Sequence, residues 1–210
     1  MPTYQDRIDA GRILAGELRR FAHSKHVVVL ALPRGGVPVA YEIATALGLP
    51  LDVFIVRKLG VPGHEELAMG AIGSGGVRIL NDSILKELAL DTAQLERVTA
   101  REEEELLRRE SVYRGSKSYP TIKGNTVILV DDGIATGATM RAAITGLRQL
   151  DPYKIIVAVP VAAKDSLEVI AKEVDEVVCP KVPREFNAVA KWYDDFPQTS
   201  DAEVTELLKK

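Results

Sequence analysis

Two adjacent carboxylates, Asp131 and Asp132, follow four apolar residues, Val127-Ile128-Leu129-Val130. They precede a run of small and hydroxyl residues, Gly133-Ile134-Ala135-Thr136-Gly137-Ala138-Thr139. The apolar run reads as a buried parallel strand. The small-residue run leads into a helical stretch from Arg141 to Gln149. A strand feeding such a loop at a helix N-terminus makes an anion site, because backbone N–H groups and the helix dipole converge on a phosphate. Ionised carboxylates only accept hydrogen bonds, so the acid pair needs a different partner. Sugar hydroxyls suit it, as does a divalent cation with its waters. A phosphate cradle beside hydroxyl-binding acids fits a ribose 5-phosphate.

Other stretches carry related chemistry. Leu32-Pro33-Arg34-Gly35-Gly36-Val37-Pro38 follows the first core strand. Its glycines let backbone N–H groups approach an anion closely, and Arg34 adds a planar donor fork. By itself the stretch is equally a tight turn. Val56-Arg57-Lys58-Leu59-Gly60 reads as the end of the second strand. Ligands of open α/β sheets bind at the carboxyl ends of strands, so Arg57 or Lys58 is expected to face the anion; the alternative is a solvated strand end. Phe186, Trp192, Tyr193 and Phe196 cluster near the C-terminus. Aromatic faces stack planar heterocycles, and they also anchor tails to cores. His64 with Glu65 is either a proton carrier or a surface pair. Cys179 has no His neighbour in sequence and reads as a buried strand residue rather than a nucleophile.

The elements that must position these groups alternate along the chain. Helical spacing runs from Arg7 to Phe21, a strand from Val27 to Leu32, a helix from Val37 to Leu47 and a strand from Leu51 to Val56. Leu67 to Ile72 and Val77 to Leu80 flank Gly73-Ser74-Gly75-Gly76, which reads as a hairpin or flexible flap. Thr92 to Val112 is a long charged helix, solvated and laced by i,i+4 pairs or else facing a dimer partner. After the acid-pair strand and its helix come a strand from Ile155 to Pro160, a helix over Ser166 to Lys172 and a strand over Glu176 to Val178. Strands separated by helices argue for a parallel α/β sheet with helices on both faces.

Composition narrows the function. The chain has 210 residues, 46% hydrophobic and 27% charged, with a net charge of −3. That is enough chain for one substantial core. With no dense basic tract, binding to nucleic acid by phosphate neutralisation is not expected. No apolar run approaches the roughly 18 residues that span a bilayer, and Met1 to Asp6 lacks a signal-peptide core. A single cysteine, Cys179, allows no internal disulfide. A cytoplasmic protein is the expectation.

The strand, the two acids and Thr136-Gly137-Ala138-Thr139 resemble the binding motif for 5-phosphoribosyl 1-pyrophosphate (PRPP) of the type I phosphoribosyltransferases. One departure is Gly133, where many members carry a branched apolar residue. The likeness extends from about Val28 to Phe196, but the hood sequences of the hypoxanthine, adenine, orotate and uracil enzymes are not found. The resemblance implies an α/β, parallel-sheet, Rossmann-like core over about 24–180, within one domain spanning 1–210. It also implies a flexible hairpin or lid over about 60–80 and a small C-terminal hood over about 180–210. It makes Asp131 and Asp132 the ribose acids and the holders of Mg²⁺, directly or through water. Gly35, Gly36, Ala135, Thr136, Gly137, Ala138 and Thr139 become PRPP-binding residues, Arg34 and Lys58 join the acids as catalytic groups, and Arg34, Gly35, Gly36 and Lys58 are the residues expected to receive the pyrophosphate. A cis peptide is implied in the Pro33–Arg34 loop. Phe186 and then Trp192 are the candidates for a small planar acceptor. The implied activity is transfer of the ribosyl 5-phosphate from Mg-PRPP to a nitrogenous base or related acceptor, with release of pyrophosphate. The alternatives are a non-catalytic PRPP or nucleotide sensor controlling a partner, and a phosphoribosyl hydrolase or a transferase to a non-base acceptor. A homodimer is a further expectation.

Overall fold

The computed structural model describes residues 2–87, 91–115 and 117–209; the side chains of Glu65, Glu66 and Asp82 lie outside the described set. Continuous apolar runs make its centre. In β1 (Val27–Ala31) and β6 (Thr126–Val130) every residue is buried, as befits strands covered on both faces. With β2 (Leu51–Val53), β7 (Lys154–Ala158) and β8 (Glu176–Val178) they form a five-stranded parallel sheet ordered β2-β1-β6-β7-β8. Successive side chains alternate between the two faces. Val27, Val29, Ala31, Ile128 and Val130 enter one core with helix α2 (Gly36–Leu47). Val28, Leu30, Val127 and Leu129 enter the other with α5 (Ala138–Gln149). Each fully buried large aliphatic side chain contributes about 1.5–3 kcal/mol.

Register fixes the site. Ala31 pairs with Val130 in the β1–β6 ladder, so the loops leaving these two strands emerge side by side at the carboxyl edge of the sheet. Helix α5 begins at Ala138 rather than at Arg141, which brings Ala138 and Thr139 into its first turn.

Three expectations are corrected. The stretch Leu51–Val56 is not one strand. It divides into β2, a buried corner at Phe54 and Ile55, and β3 (Val56–Val61), which belongs to a separate antiparallel sheet with β4 (His64–Gly73) and β5 (Val77–Leu80). The cause is local: Ile55 N–H donates to Ser74 Oγ at 3.0 Å, and Ser74 N–H donates to Ile55 O at 2.9 Å. Val56–Gly60 is therefore not the end of a parallel strand. The hairpin reading of Gly73–Gly76 holds, since β4 and β5 pair antiparallel with Gly73 opposite Val77, and with Ser74 fully buried the turn is packed rather than a free flap. The exposed end of the hairpin is at Pro62, Gly63 and His64. The long helix α4 (Thr92–Arg114) is also not merely solvated. Leu95, Val98, Thr99, Glu102, Leu106 and Tyr113 are buried, and Glu102 accepts from Arg57 Nε at 2.9 Å.

Helix α1 (Arg7–Glu17) packs on α2. Helices α3 (Asp82–Glu87) and α6 (Lys164–Ile170) lie at the surface, α6 burying Ile170. The final helix, α7 (Asp201–Lys209), buries Val204 and Leu208 beside α4 and α2. No helix among the described residues is long and apolar enough to cross a membrane.

Candidate functional site

Strand β6 delivers the acid pair. Asp132 N–H donates to Asp131 Oδ1 at 2.9 Å. Burial raises both carboxyl pKa values; the charge on Asp132 pushes Asp131 further up, and Arg7 partly offsets the rise at each. Arg7 donates from Nε to Asp132 Oδ2 at 2.9 Å, and its Nη2 lies 2.8 Å from the same oxygen. Among the described residues no group of three or more His, Cys, Asp and Glu side chains comes together as a metal cage.

The loop after the pair is held from below. Ile134 N–H donates to Val161 O at 2.9 Å, Ala163 N–H to Ile134 O at 2.9 Å, and Ser166 Oγ to Ala135 O at 2.6 Å. Gly137 caps α5 with φ of 76°, a left-handed conformation that a branched residue resists. Among the described residues the backbone N–H groups of Ala135 through Thr139 find no acceptor, and neither do the Thr136 and Thr139 hydroxyls. Donors at a helix start with no protein partner suit an anion. At Gly133, the departure from the family pattern, the room for a side chain is filled by Val189 of the C-terminal segment.

The second loop matches its expectation. The Pro33–Arg34 peptide is cis. Leu32 N–H is taken by Val130 O at 2.8 Å and Gly36 N–H by Leu32 O at 3.1 Å, whereas Arg34 and Gly35 N–H find no acceptor among the described residues. Arg34 is half-exposed, with Nη1 3.6 Å from Asp201 Oδ1. Arg34, Gly35, Asp132 and Arg7 line a cleft of about 340 Å³ with Phe196 to Thr199.

Lys58 and Arg57 part company on β3, as alternation requires. Arg57 turns to Glu102. Lys58 lines a different cavity, about 320 Å³, with Ala138, Thr139 and Ala142. It thus neighbours the 135–139 loop rather than the Arg34 loop. His64 is exposed at the hairpin tip; Glu65, its expected companion, lies outside the described side chains.

Behind the acid pair stands the aromatic segment. Phe186, Trp192 and Phe196 are partly buried against Tyr4, Val161 and Tyr193. Tyr4 stitches this segment to the core: its N–H donates to Trp192 O at 2.8 Å, its carbonyl accepts from Asp194 N–H at 2.8 Å and its hydroxyl donates to Pro160 O at 2.8 Å. Tyr193 Oη donates to Asp132 O at 2.5 Å. Burial pushes the Tyr193 phenol well above its ordinary range, so it stays a donor. Cys179 is half-buried just beyond β8. Burial pushes its thiol up to about 12, which leaves no thiolate for attack.

Arg7 is the residue that the sequence reasoning missed. The available signal is an arginine on the apolar face of a helix, in line with Ala10, Gly11 and Leu14.

The family model for the phosphoribosyl transferase domain matches residues 3–195. A Mycobacterium tuberculosis H37Rv protein assigned by name to the phosphoribosyl transferases, Rv0571c, is 47% identical over all 210 residues, which make up 47% of its length. A protein of the CDC 1551 strain, MT0597, matches to the same degree. The chain thus spans about half the length of these curated relatives. Among solved structures, TT1426 from Thermus thermophilus superposes with a TM-score of 0.86 at 43% identity, covering 99% of this chain and 98% of that one. AQ2163 from Aquifex aeolicus shares the fold, with a TM-score of 0.52 at 15% identity over 96% of this chain and 84% of that one.

Proposed function

The chain belongs to the phosphoribosyl transferase domain family, and we propose that it is a phosphoribosyltransferase using Mg-PRPP. The observation that carries this reading is the run of unpartnered N–H groups from Ala135 to Thr139, which follows the Asp131–Asp132 pair at the end of the same strand. The 5-phosphate binds that run together with the Thr136 and Thr139 hydroxyls. Lys58 adds positive charge from the hairpin side. The ribose hydroxyls meet Asp131 and Asp132. The pyrophosphate takes the unpartnered N–H groups of Arg34 and Gly35 and the Arg34 guanidinium; Gly36, whose N–H is spent on Leu32 O, lets the loop pack closely on Val130 and Asp131.

Two carboxylates with no third carboxylate, His or Cys beside them among the described residues fit Mg²⁺, which dehydrates reluctantly and binds through one or two carboxylates plus substrate phosphates. Bound at Asp131 and Asp132, directly or through water, it would neutralise charge on the departing pyrophosphate. As the bond from C1 to the pyrophosphate oxygen breaks, positive charge grows on the sugar, and the acid pair stabilises it. The nitrogen of a planar base forms the new bond to C1. Phe186, with Trp192 second, supplies the flat surface for that base. The reading takes residues 1–210 as one domain working in the cytoplasm.

The test is incubation with PRPP, Mg²⁺ and a panel of purine and pyrimidine bases, with pyrophosphate measured. Release that depends on one base is the expected result. Release without any base makes the protein a hydrolase. Binding without release makes it a sensor.

A further inference from the structure

Arg7 reaches the site from α1, 125 residues before the acid it binds. It is 9% exposed. Its Nε and Nη2 converge on Asp132 Oδ2, its Nη1 donates to Pro197 O at 2.8 Å, and its guanidinium carbon lies 3.7 Å from the centre of the Phe196 ring. One planar group therefore touches an acid, a backbone carbonyl and an aromatic face at once. Only arginine has the fork and the flat face for this; lysine is a point charge.

The constraint on Asp132 is equally tight. A side chain at Gly35 would collide with its carboxylate, so the acid leans onto the Arg34 loop. Oδ2 is committed to Arg7, and only Oδ1 takes no hydrogen bond from another described residue. The backbone of the same residue is held by Tyr193 Oη. Two ties thus run from the 193–197 segment to one acid, one through its carbonyl and one through Arg7.

We propose that Arg7 is a positioning residue that clasps Phe196–Pro197 to Asp132, so that a ligand drawing on Asp132 also sets the position of the hood. The identity of that ligand, Mg-PRPP, rests on the function proposed above. Any new partner for Asp132 competes with or reorients the guanidinium, and the guanidinium carries Pro197 O and the Phe196 ring with it. The acceptor side of the site is thereby informed that the sugar side is filled.

Hydrogen exchange tests this in the full chain, in the parent, Arg7→Gln, Asp132→Asn and the double variant, with and without PRPP plus Mg²⁺. The peptides read are 135–139 and 194–200. Without ligand, exchange at 194–200 rises on the order of 10-fold in either single variant, and the double variant is no faster than the singles. With Mg-PRPP, the parent is protected at 135–139 and its 194–200 exchange changes. Arg7→Gln is still protected at 135–139, but its 194–200 segment no longer responds. Independent, additive effects of the two substitutions overturn the clasp. So does a 194–200 response in Arg7→Gln equal to the parent's. Lack of protection at 135–139 in the parent overturns the PRPP reading and the ligand-driven coupling with it, a result distinct from protection there with a silent hood. If Arg7→Gln does not fold, Arg7→Lys, which keeps the charge and loses the fork, is read by the same criteria.

Discussion

The C-terminal hood and the β3–β4 hairpin border the acid pair and the 135–139 loop, yet the hood is tied to the core by hydrogen bonds at 192–197, whereas the hairpin packs on it through Leu59, Val61 and Met69 and is exposed at its tip. The hood is held through Tyr4, Gln5, Arg7 and Asp132. The hairpin is held by Ser74 at the Ile55 corner and by Arg57 on Glu102, while Pro62, Gly63 and His64 at its tip are exposed. Segments with few buried contacts open most readily, and active-site covers are drawn from them. On the proposed function, that difference would give cover to the hairpin tip and shape to the hood. Between them lies a floor of two acids and a row of N–H groups that neither wall can replace.

The contrast is broken most directly at that floor. Asp131→Asn with Asp132→Asn is expected to lower turnover by about 10²–10³-fold, because amides keep the size but lose the charge that supports the sugar cation. The check is steady-state pyrophosphate release. A smaller loss than either wall variant causes would put the chemistry in the walls. Next in size, Glu102→Gln is expected to cost about 1–3 kcal/mol in denaturant unfolding, since it leaves Arg57 without its charged partner. Exchange should quicken in the hairpin and stay unchanged in the hood; a change in the hood would show that the two walls are not independent.

On the hood side, Phe186→Ala is expected to weaken base binding by about 1–3 kcal/mol through lost stacking, with PRPP affinity unaltered in calorimetry. If base affinity also holds in Phe186→Ala and in Trp192→Ala, the aromatic segment is purely structural. Tyr193→Phe removes one hydrogen bond, the one to Asp132 O. It should cost about 1 kcal/mol and quicken exchange in the hood alone.

A last effect concerns pH. The folded carboxyl of Asp131 titrates above its ordinary value of 3.8 because of burial and its acidic neighbour. Between the unfolded and folded values the native state binds more protons, so stability falls as pH rises through that window. The penalty is complete above the folded value. Asp131→Asn should therefore melt above the parent at neutral pH, and the advantage should vanish below about pH 4. A parent that melts higher than this variant at pH 7 would contradict the assignment of a destabilised floor.

The floor is legible in the sequence because its chemistry is contiguous. Strand, acids, phosphate loop and helix start occupy 126–139, and the second loop occupies 33–36. The walls are not, because their ties are long-range. Nothing local to Arg7 reveals a partner at 132 or a carbonyl at 197. The split of Leu51–Val56 is hidden for a different reason: Phe54 and Ile55 are apolar and buried like strand residues, and the serine that turns the chain sits in a glycine run that reads as a loop. Helix α7 does carry a local sign. Ser200-Asp201-Ala202-Glu203 has the spacing of a capping box, and Ser200 Oγ accepts from Glu203 N–H at 3.1 Å.

The most direct measurement is a crystal structure of the protein with Mg-PRPP. The expected result puts the 5-phosphate oxygens about 3 Å from the N–H groups of Ala135 to Thr139, the ribose hydroxyls at Asp131 and Asp132, and the pyrophosphate on Arg34 and Gly35. A 5-phosphate bound anywhere else, or a ribose that leaves both acids untouched, would contradict the account.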